Sequence, residues 1–230
     1  MSRWGPTAIV VALLAATALA FALTEREKLE KTDFAVVRID ERFSPSCRCA
    51  MRGAEIALRF RRTHVLTVQI LGANDRVVRT LAREAVVHKG PVVVRWDGRN
   101  GSGGVVPDGD YTPRFVLDDG RVFDPPSPIA VDATPPRVTS ASYSARLLRR
   151  RPRARIRIRY SLSEEAHPLL YANGRLVLRG GGKKTAGALD WRGKRLGRRL
   201  RPGRYRLQLA AVDLAGNVGE RTRPFVVRLR

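Results

Sequence analysis

The sequence predicts an all-β protein: two tandem β-sandwiches that follow an N-terminal transmembrane helix. Three observations predict it: an apolar run at residues 7–24, period-two alternation beyond residue 33, and one repeat of the strand order. Period-two alternation places successive side chains on opposite faces of a strand. The predicted parts are an anchor or signal segment with a charged juxtamembrane stretch (1–32), a first domain (33–134) and a strongly basic second domain (135–230).

The N-terminal run is eighteen uncharged residues long. A helix of that length spans about 27 Å, which nearly matches a hydrocarbon layer of about 30 Å. Ala18-Leu19-Ala20 also fits a cleavage site, so a removable signal peptide is the alternative. An anchor is favoured because the run continues past that site into a charged, helix-forming stretch at 25–31.

The orientation of this helix follows from two opposing indications. One arginine and the α-amino group precede the run, and three basic residues follow it closely, which weakly favours a cytoplasmic C-terminal part. The six-residue segment before the run is typical of an export signal, and we give it the greater weight. We therefore expect a single-pass protein of the cell membrane with both domains outside the cytoplasm, or a secreted protein after cleavage.

The first domain alternates apolar and polar residues over several short runs. Ile56, Leu58 and Phe60 alternate with smaller or charged residues, and further apolar runs lie at 65–71, 92–96 and 111–117. Segments rich in Gly, Pro, Asn and Asp separate them, at 72–75, 97–104, 107–109 and 118–120. Short strands spaced in this way are typical of a sandwich or a barrel.

The same order recurs in the second domain. Trp96 and Tyr111 are 15 residues apart, and Trp191 and Tyr205 are 14 apart. Two units of similar length and order indicate tandem copies. The prolines at 135 and 136 mark the boundary, because proline stops strand pairing and stiffens a linker. The alternating set Ile156, Ile158 and Tyr160 is predicted to match Ile56, Leu58 and Phe60.

The first domain also has a signature of two turns, formed by Trp96, Asp97, Gly98, Arg99, Pro107, Asp108, Gly109 and Tyr111. A buried tryptophan fills the core, the Asp-Gly pair supplies a turn with positive φ, and the Pro-Asp-Gly segment makes a second tight turn. The tyrosine then starts the strand that crosses the core. These roles are structural, and a recognition loop over 97–104 is the functional alternative.

This signature resembles a bacterial FlgD-type immunoglobulin-like (Ig-like) domain, which is best known from the flagellar hook-capping protein. The segment 43–45 resembles the opening of that domain and 77–81 its central strand, so the resemblance covers residues 43–132. The second domain resembles a degenerate Ig-like copy, and its segment 211–217 is similar to the last hairpin of bacterial surface Ig repeats. The resemblance implies two Ig-like sandwiches.

The two cysteines, Cys47 and Cys49, form a C-x-C pair in the first domain. In an oxidising compartment a small-ring disulfide is the favoured state, and free thiols or a metal or redox role are the alternatives. Zinc sites usually need four ligands, and the three histidines of the chain are scattered. No nucleophile elbow, zinc-protease motif or phosphate-binding glycine loop is present. We expect no enzyme, no catalytic residues, no metal and no cofactor.

Charge distinguishes the second domain from the rest. It has 25 basic and 5 acidic residues, against 15 and 13 in the first domain. Strand alternation predicts that Arg155, Arg157 and Arg159 share one face, opposite Ile156, Ile158 and Tyr160. One interpretation is a solvated face in an arginine-rich protein; the other is a surface for anionic cell-wall polymers, acidic polysaccharides or lipid headgroups. The candidate surface residues are Arg155, Arg157, Arg159, Arg195, Arg198, Arg199 and Arg201.

Together these features predict a non-catalytic, membrane-anchored Ig-like protein for binding or spacing at the bacterial cell envelope. The membrane is the expected partner of residues 7–24, and nucleic acid is not expected because no aromatic residues are interleaved with the basic ones. A scaffold for flagellar hook assembly is one alternative. An accessory or redox subunit that uses the C-x-C pair is the other.

Overall fold

The computed structural model describes residues 13, 14, 16, 17, 34–149, 151 and 154–230. The prediction of a membrane anchor at residues 7–24 falls largely outside them; the four described residues of that segment are helical. Within the described part of the chain, no helix is long and apolar enough to cross a membrane. From residue 34 onward the described chain is built of β-strands.

Nine strands lie in the first domain and nine in the second. The first set is β1 (Phe34–Ile39), β2 (Arg42–Phe43), β3 (Ala54–Phe60), β4 (His64–Leu71), β5 (Val77–Val87), β6 (Gly90–Trp96), β7 (Gly109–Leu117), β8 (Val122–Phe123) and β9 (Ile129–Val131). The second set is β10 (Val138–Tyr143), β11 (Leu147–Leu148), β12 (Ile156–Ala172), β13 (Arg175–Arg179), β14 (Lys184–Trp191), β15 (Lys194–Arg195), β16 (Arg198–Arg199), β17 (Gly203–Val212) and β18 (Phe225–Leu229). A 3-10 turn, Ala73–Asp75, joins β4 to β5.

Two sheets form the first domain. One has the order β1-β3-β6, and the other has the order β2-β9-β7-β4-β5 with β8 added to β7. Pairing is antiparallel except between β2 and β9. The inward residues of both sheets form one apolar core that includes Trp96 and Phe115, both fully buried. The segment 77–81, which resembles a central strand, begins β5 at the edge of its sheet, so a central position is wrong.

The second domain uses one long strand in both of its sheets. The first half of β12 pairs with β10 and β14, and its second half pairs with β13 and β17. The pairing with β14 is irregular between Ser161 and Ala166, where the strand passes from one layer to the other. β17 continues to β18 and then to β11, which pairs with β18 in parallel. A second core, with Trp191, fills the space between the layers.

The two domains repeat the same local geometry around their tryptophans. Trp96 Nε1 donates to the Arg99 carbonyl at 3.1 Å, and Trp191 Nε1 donates to the Lys194 carbonyl at 3.0 Å. The hydroxyl of the following tyrosine donates to a carbonyl four residues earlier, at 2.8 Å in both domains. The short parallel pair β2–β9 recurs as β11–β18. These matches show the internal repeat in three dimensions.

The strand register corrects one detail of the predicted repeat. Ala54 lies opposite Trp96, whereas Ile156 lies opposite Trp191. Ile156 is therefore equivalent to Ala54, and the predicted match to Ile56 is wrong by two residues. A shift of two residues keeps every side chain on the same face of a strand, so the alternation alone could not detect it.

Residues 132–137 connect the last strand of the first domain to the first strand of the second. Within the described residues, strands 34–131 pair only among themselves, and so do strands 138–229. The two apolar cores are likewise separate clusters. Independent folding of residues 33–134 and 135–230 remains a prediction.

Candidate functional site

The turn that follows Trp96 is fixed by contacts within the first domain. Gly98 has φ of 74°, the left-handed region expected from the Asp-Gly pair. Its carbonyl accepts a bond from the amide of Val106 at 2.9 Å, and Asp97 Oδ1 accepts one from the Arg99 amide at 3.1 Å. Arg99 Nη1 donates to the Gly103 carbonyl at 2.7 Å. These bonds account for the signature without a ligand.

The second signature turn holds the connection between the domains. Asp108 Oδ1 accepts a bond from the amide of Ala133 at 2.7 Å, and its Oδ2 accepts one from Thr134 Oγ1 at 2.5 Å. Tyr111 packs edge-on against Trp96, with ring centroids 5.1 Å apart, and its hydroxyl donates to the Pro107 carbonyl. The signature residue Asp108 therefore has a role that its sequence position did not reveal: its carboxylate accepts two hydrogen bonds from the segment that connects the two domains.

Cys47 and Cys49 are joined by a disulfide in the structure. The bond lies beside Gly216 of the second domain: a Cβ atom added at Gly216 would come within 2.6 Å of Cys49 Sγ and 3.7 Å of Cys47 Sγ. Gly216 also has φ of 93°, which favours glycine. The small-ring disulfide thus packs at the junction of the two domains.

A buried polar network lies at the same junction and is centred on Asn217, which is 4% exposed. Ser44 Oγ of the first domain donates to Asn217 Oδ1 at 2.5 Å. Asn217 Nδ2 donates to the Asp132 carbonyl and to Asp213 Oδ2, both at 2.8 Å. The amides of Ala215 and Asn217 donate to Asp213 Oδ1. The side chain of Asn217 therefore connects the first domain, the linker and the second domain.

Three carboxylates meet beside this network. Oxygen atoms of Asp132, Glu164 and Asp213 all lie within 4.8 Å of one another. Burial, and to a smaller extent repulsion from Asp213, raises the pKa of Asp132. Burial, and to a smaller extent repulsion from Asp132, raises the pKa of Glu164. Carboxylate oxygens are ligands suited to hard cations such as Ca²⁺. This carboxylate cluster could not be predicted from the sequence, because its members are far apart in the chain and only folding brings them together.

The predicted basic surface divides into two parts. Arg155 and Arg157 lie on the side of the second domain where Asp190 forms ion pairs with both, at 3.1 and 2.8 Å. These pairs neutralise part of the predicted charge there. Arg159 is exposed on the same strand face. In the described part of the second domain, Asp190 is the one carboxylate that forms ion pairs.

The second part of the surface is the β15–β16 hairpin. Arg195 lies directly opposite Arg198, and Lys194 lies directly opposite Arg199. All four side chains are exposed, as is the nearby Arg201. Arg195 Nε donates to the Leu176 carbonyl at 3.3 Å. Like charges directly opposite each other on paired strands are destabilising. The structure therefore brings three of the predicted surface residues, Arg195, Arg198 and Arg199, together on one hairpin, whereas Arg155, Arg157 and Arg159 lie on or next to another strand, β12.

A small cavity adjoins this hairpin. Its volume is about 90 Å³, and ten described residues line it, of which five are basic and none is acidic. The basic residues are Arg149, Arg151, Arg192, Lys194 and Arg199. Of these, only Arg199 belongs to the candidate surface predicted from the sequence, because nothing in the sequence shows that the other four surround a cavity.

Residues 52–119 match the family model described as the FlgD Ig-like domain. The first domain is a FlgD-type Ig-like domain. No curated protein sequence matches the chain.

Several solved structures resemble the chain at low sequence identity. The fibronectin(III)-like modules of CbhA from Clostridium thermocellum are 14% identical with a TM-score of 0.42, over 85% of this chain and 92% of that one. A 1.5-MDa bacterial ice-binding adhesin is 13% identical with a TM-score of 0.35, over 85% and 64%. The D0-D1 domain of Intimin is 8% identical with a TM-score of 0.31, over 86% and 97%.

The FlgD-type domain differs from the second domain at the position of the cavity. There Phe43 and Pro45 pack against Gly98: an added Cβ atom at Gly98 would lie 2.6 Å from Pro45 Cγ and 3.0 Å from Phe43 Cε2. A Cβ atom added at the equivalent glycine of the second domain, Gly193, would lie 3.2 Å from Leu148 Cδ2 and 3.5 Å from the two Cδ atoms of Leu229. The aliphatic side chains of Leu148 and Leu229 thus lie nearest Gly193, whereas the rings of Phe43 and Pro45 lie nearest Gly98.

Proposed function

We propose that the chain is a non-catalytic Ig-like module of the bacterial cell envelope, anchored by residues 7–24, whose second domain contacts anionic polymers. Its fold supports this proposal, since it is an all-β protein with a FlgD-type Ig-like domain. The motifs of the common hydrolases and phosphate-binding enzymes are absent from the sequence. Cell-wall polymers, acidic polysaccharides and lipid headgroups are the anions that such a domain would meet outside the cytoplasm.

The main support is the difference in charge compensation between the two domains. In the FlgD-type domain, Arg38 and Arg95 pair with Glu55, and Arg114 pairs with Asp124 at 2.6 Å. In the second domain, 25 basic residues face 5 acidic ones. Positive charge that no carboxylate offsets raises the local concentration of anions and their rate of association. A spacer needs no such imbalance, so a contact with polyanions is the function that the charge supports.

The test is retention of the full chain on anionic cell-wall material at increasing salt. Replacing Arg195, Arg198, Arg199 and Arg201 together by glutamine should reduce retention strongly. Binding should weaken steeply with salt, because the Debye length falls from about 10 Å at 0.1 M to about 3 Å at 1 M. The matched control removes four exposed charges of the FlgD-type domain, at Arg48, Arg52, Arg59 and Arg76. Equal losses in both variants, or retention at 1 M salt, would overturn the proposal.

The proposed location has its own test. A C-terminal alkaline phosphatase fusion should be active, since that enzyme requires export from the cytoplasm to form its disulfides. An inactive phosphatase together with a fluorescent cytoplasmic reporter would place the domains in the cytoplasm and remove the envelope polymers as partners.

A scaffold for flagellar hook assembly is the second candidate, and the match of residues 52–119 to the FlgD Ig-like domain favours it. A strain that lacks the protein separates the two functions. Loss of hooks would support the scaffold, whereas intact hooks together with altered adhesion to anionic wall material would support the binding module.

A further inference from the structure

The cavity beside the β15–β16 hairpin has the size of a small anion. At about 90 Å³ it holds about three water molecules, or one phosphate or carboxylate group. Its inner wall is apolar, because Leu148, Gly193 and Leu229 are buried, while the basic side chains around it are exposed. An apolar inner wall lowers the local dielectric and strengthens the attraction between the basic groups and an anion that enters.

The five basic side chains of this cavity have little electrostatic compensation: Arg192 interacts with Asp190, but at a distance longer than that of an ion pair. Within the described residues, none of them forms an ion pair or a side-chain hydrogen bond. This contrasts with Arg155 and Arg157, which share Asp190. Lys194 and Arg199 also lie directly opposite each other on paired strands, which is unfavourable for two cations. An anion between them would remove this repulsion.

The FlgD-type domain provides an internal comparison. At the equivalent turn its side chains are Asp97 and Arg99, where the second domain has Arg192 and Lys194. Asp97 and Arg99 interact with each other at 3.8 Å, and Pro45 fills the adjacent space. The second domain thus has the same turn with the acidic residue replaced by a basic one. This change favours an anion.

We propose that this cavity is a phosphate-binding site, formed by Arg192, Lys194 and Arg199 together with Arg149 and Arg151. Guanidinium groups bind phosphate oxygens through two parallel hydrogen bonds, and an ammonium group adds a point charge. The expected ligand group is a phosphate of an anionic polymer or of a lipid headgroup. This inference rests on the proposed contact with polyanions and adds to it one discrete site within the basic surface.

The experiment measures binding to the full chain by isothermal titration calorimetry. The probes are inorganic phosphate, a soluble polyphosphate, and vesicles of phosphatidylglycerol, with phosphatidylcholine vesicles as the uncharged reference. Substitution of Arg192, Lys194 and Arg199 by glutamine should weaken phosphate binding by about a hundredfold. The charge-matched control replaces Arg175, Arg179 and Arg223, which are exposed and lie outside the cavity. It should change phosphate binding by less than about threefold.

A second variant keeps the charge and fills the cavity. Ala154 lines the cavity and is half-buried, so Ala154→Leu should block phosphate at unchanged net charge. If Ala154→Leu and the triple variant both bind phosphate like the parent, the site does not exist, even where salt-sensitive polymer binding persists. If phosphate binds at the cavity but no anionic polymer or vesicle does, the proposed function fails and the site remains. Preference for polyphosphate over phosphatidylglycerol vesicles identifies a polymer, and the reverse identifies a lipid headgroup.

Discussion

Replacing Trp96 by alanine is the most direct perturbation of the FlgD-type domain. The ring is fully buried and lies between Phe43 and Tyr111, at centroid distances of 5.4 and 5.1 Å. Truncation of a buried large aromatic costs about 3–5 kcal/mol. It also leaves the Arg99 carbonyl without its donor, which adds about 1 kcal/mol where water cannot replace it. Against a domain stability of about 5–15 kcal/mol, this loss leaves a marginal fold.

The same truncation at Trp191 should cost less. Trp191 is 2% exposed and has an equivalent indole hydrogen bond, but its aromatic neighbour Tyr205 lies farther away, at 6.4 Å. A close edge-to-face pair contributes about 0.5–1.5 kcal/mol beyond burial. The loss of stability caused by Trp96→Ala should therefore exceed the loss caused by Trp191→Ala by about 1 kcal/mol. Each variant should affect a different unfolding transition.

Calorimetry and urea unfolding followed by circular dichroism measure both effects on the full chain. We expect two transitions, with Trp96→Ala lowering the melting temperature of one by about 15 °C or more. The control Val93→Thr alters a side chain of β6 that is 54% exposed and should change stability by under about 0.5 kcal/mol. A cost below about 1 kcal/mol for Trp96→Ala would refute the assignment of Trp96 to the core. A single transition that shifts equally in both tryptophan variants would refute the two-domain prediction.

Two further predictions concern the junction. Because the folded-state pKa values of Asp132 and Glu164 are raised, their contribution to stability is present below about pH 4 and is lost as the pH rises through those values. The double variant Asp132→Asn, Glu164→Gln should therefore be more stable than the parent at pH 7, by no more than about 1 kcal/mol because both groups are partly exposed. At pH 3 the two proteins should have equal stability in urea unfolding. A double variant that is less stable than the parent at pH 7 would contradict this prediction. Gly216→Ala should lower stability more than Gly197→Ala, because Gly197 has a similar positive φ but no atom lies within 4 Å of a Cβ added there. If contact with the disulfide causes the difference in thermal unfolding, the same two substitutions should have equal effects in a Cys49→Ala background.

The sequence was sufficient for the features that repeat with a local period. Alternation predicted which side chains of β3 and β12 are buried, and the spacing from tryptophan to tyrosine predicted two copies of one core geometry. Features that depend on residues far apart in the chain were not predictable. Asp190 neutralises Arg155 and Arg157 from another strand, and Asp132, Glu164 and Asp213 meet only at the junction. The two-residue register error arose because both alignments place the same residues inside.

The parallel pairs β2–β9 and β11–β18 matter when the chain is pulled from its two ends. Each pair is only two residues long, Arg42–Phe43 with Ala130–Val131 and Leu147–Leu148 with Arg228–Leu229. Strands pulled in opposite directions along their length load all their hydrogen bonds at once, whereas strands peeled apart break them singly. In each domain, however, a longer strand precedes the short pair along the chain: β1, which pairs with β3, and β10, which pairs with β12. The short parallel pair therefore carries load only after that longer strand has detached, and tension would be released in two steps within each domain.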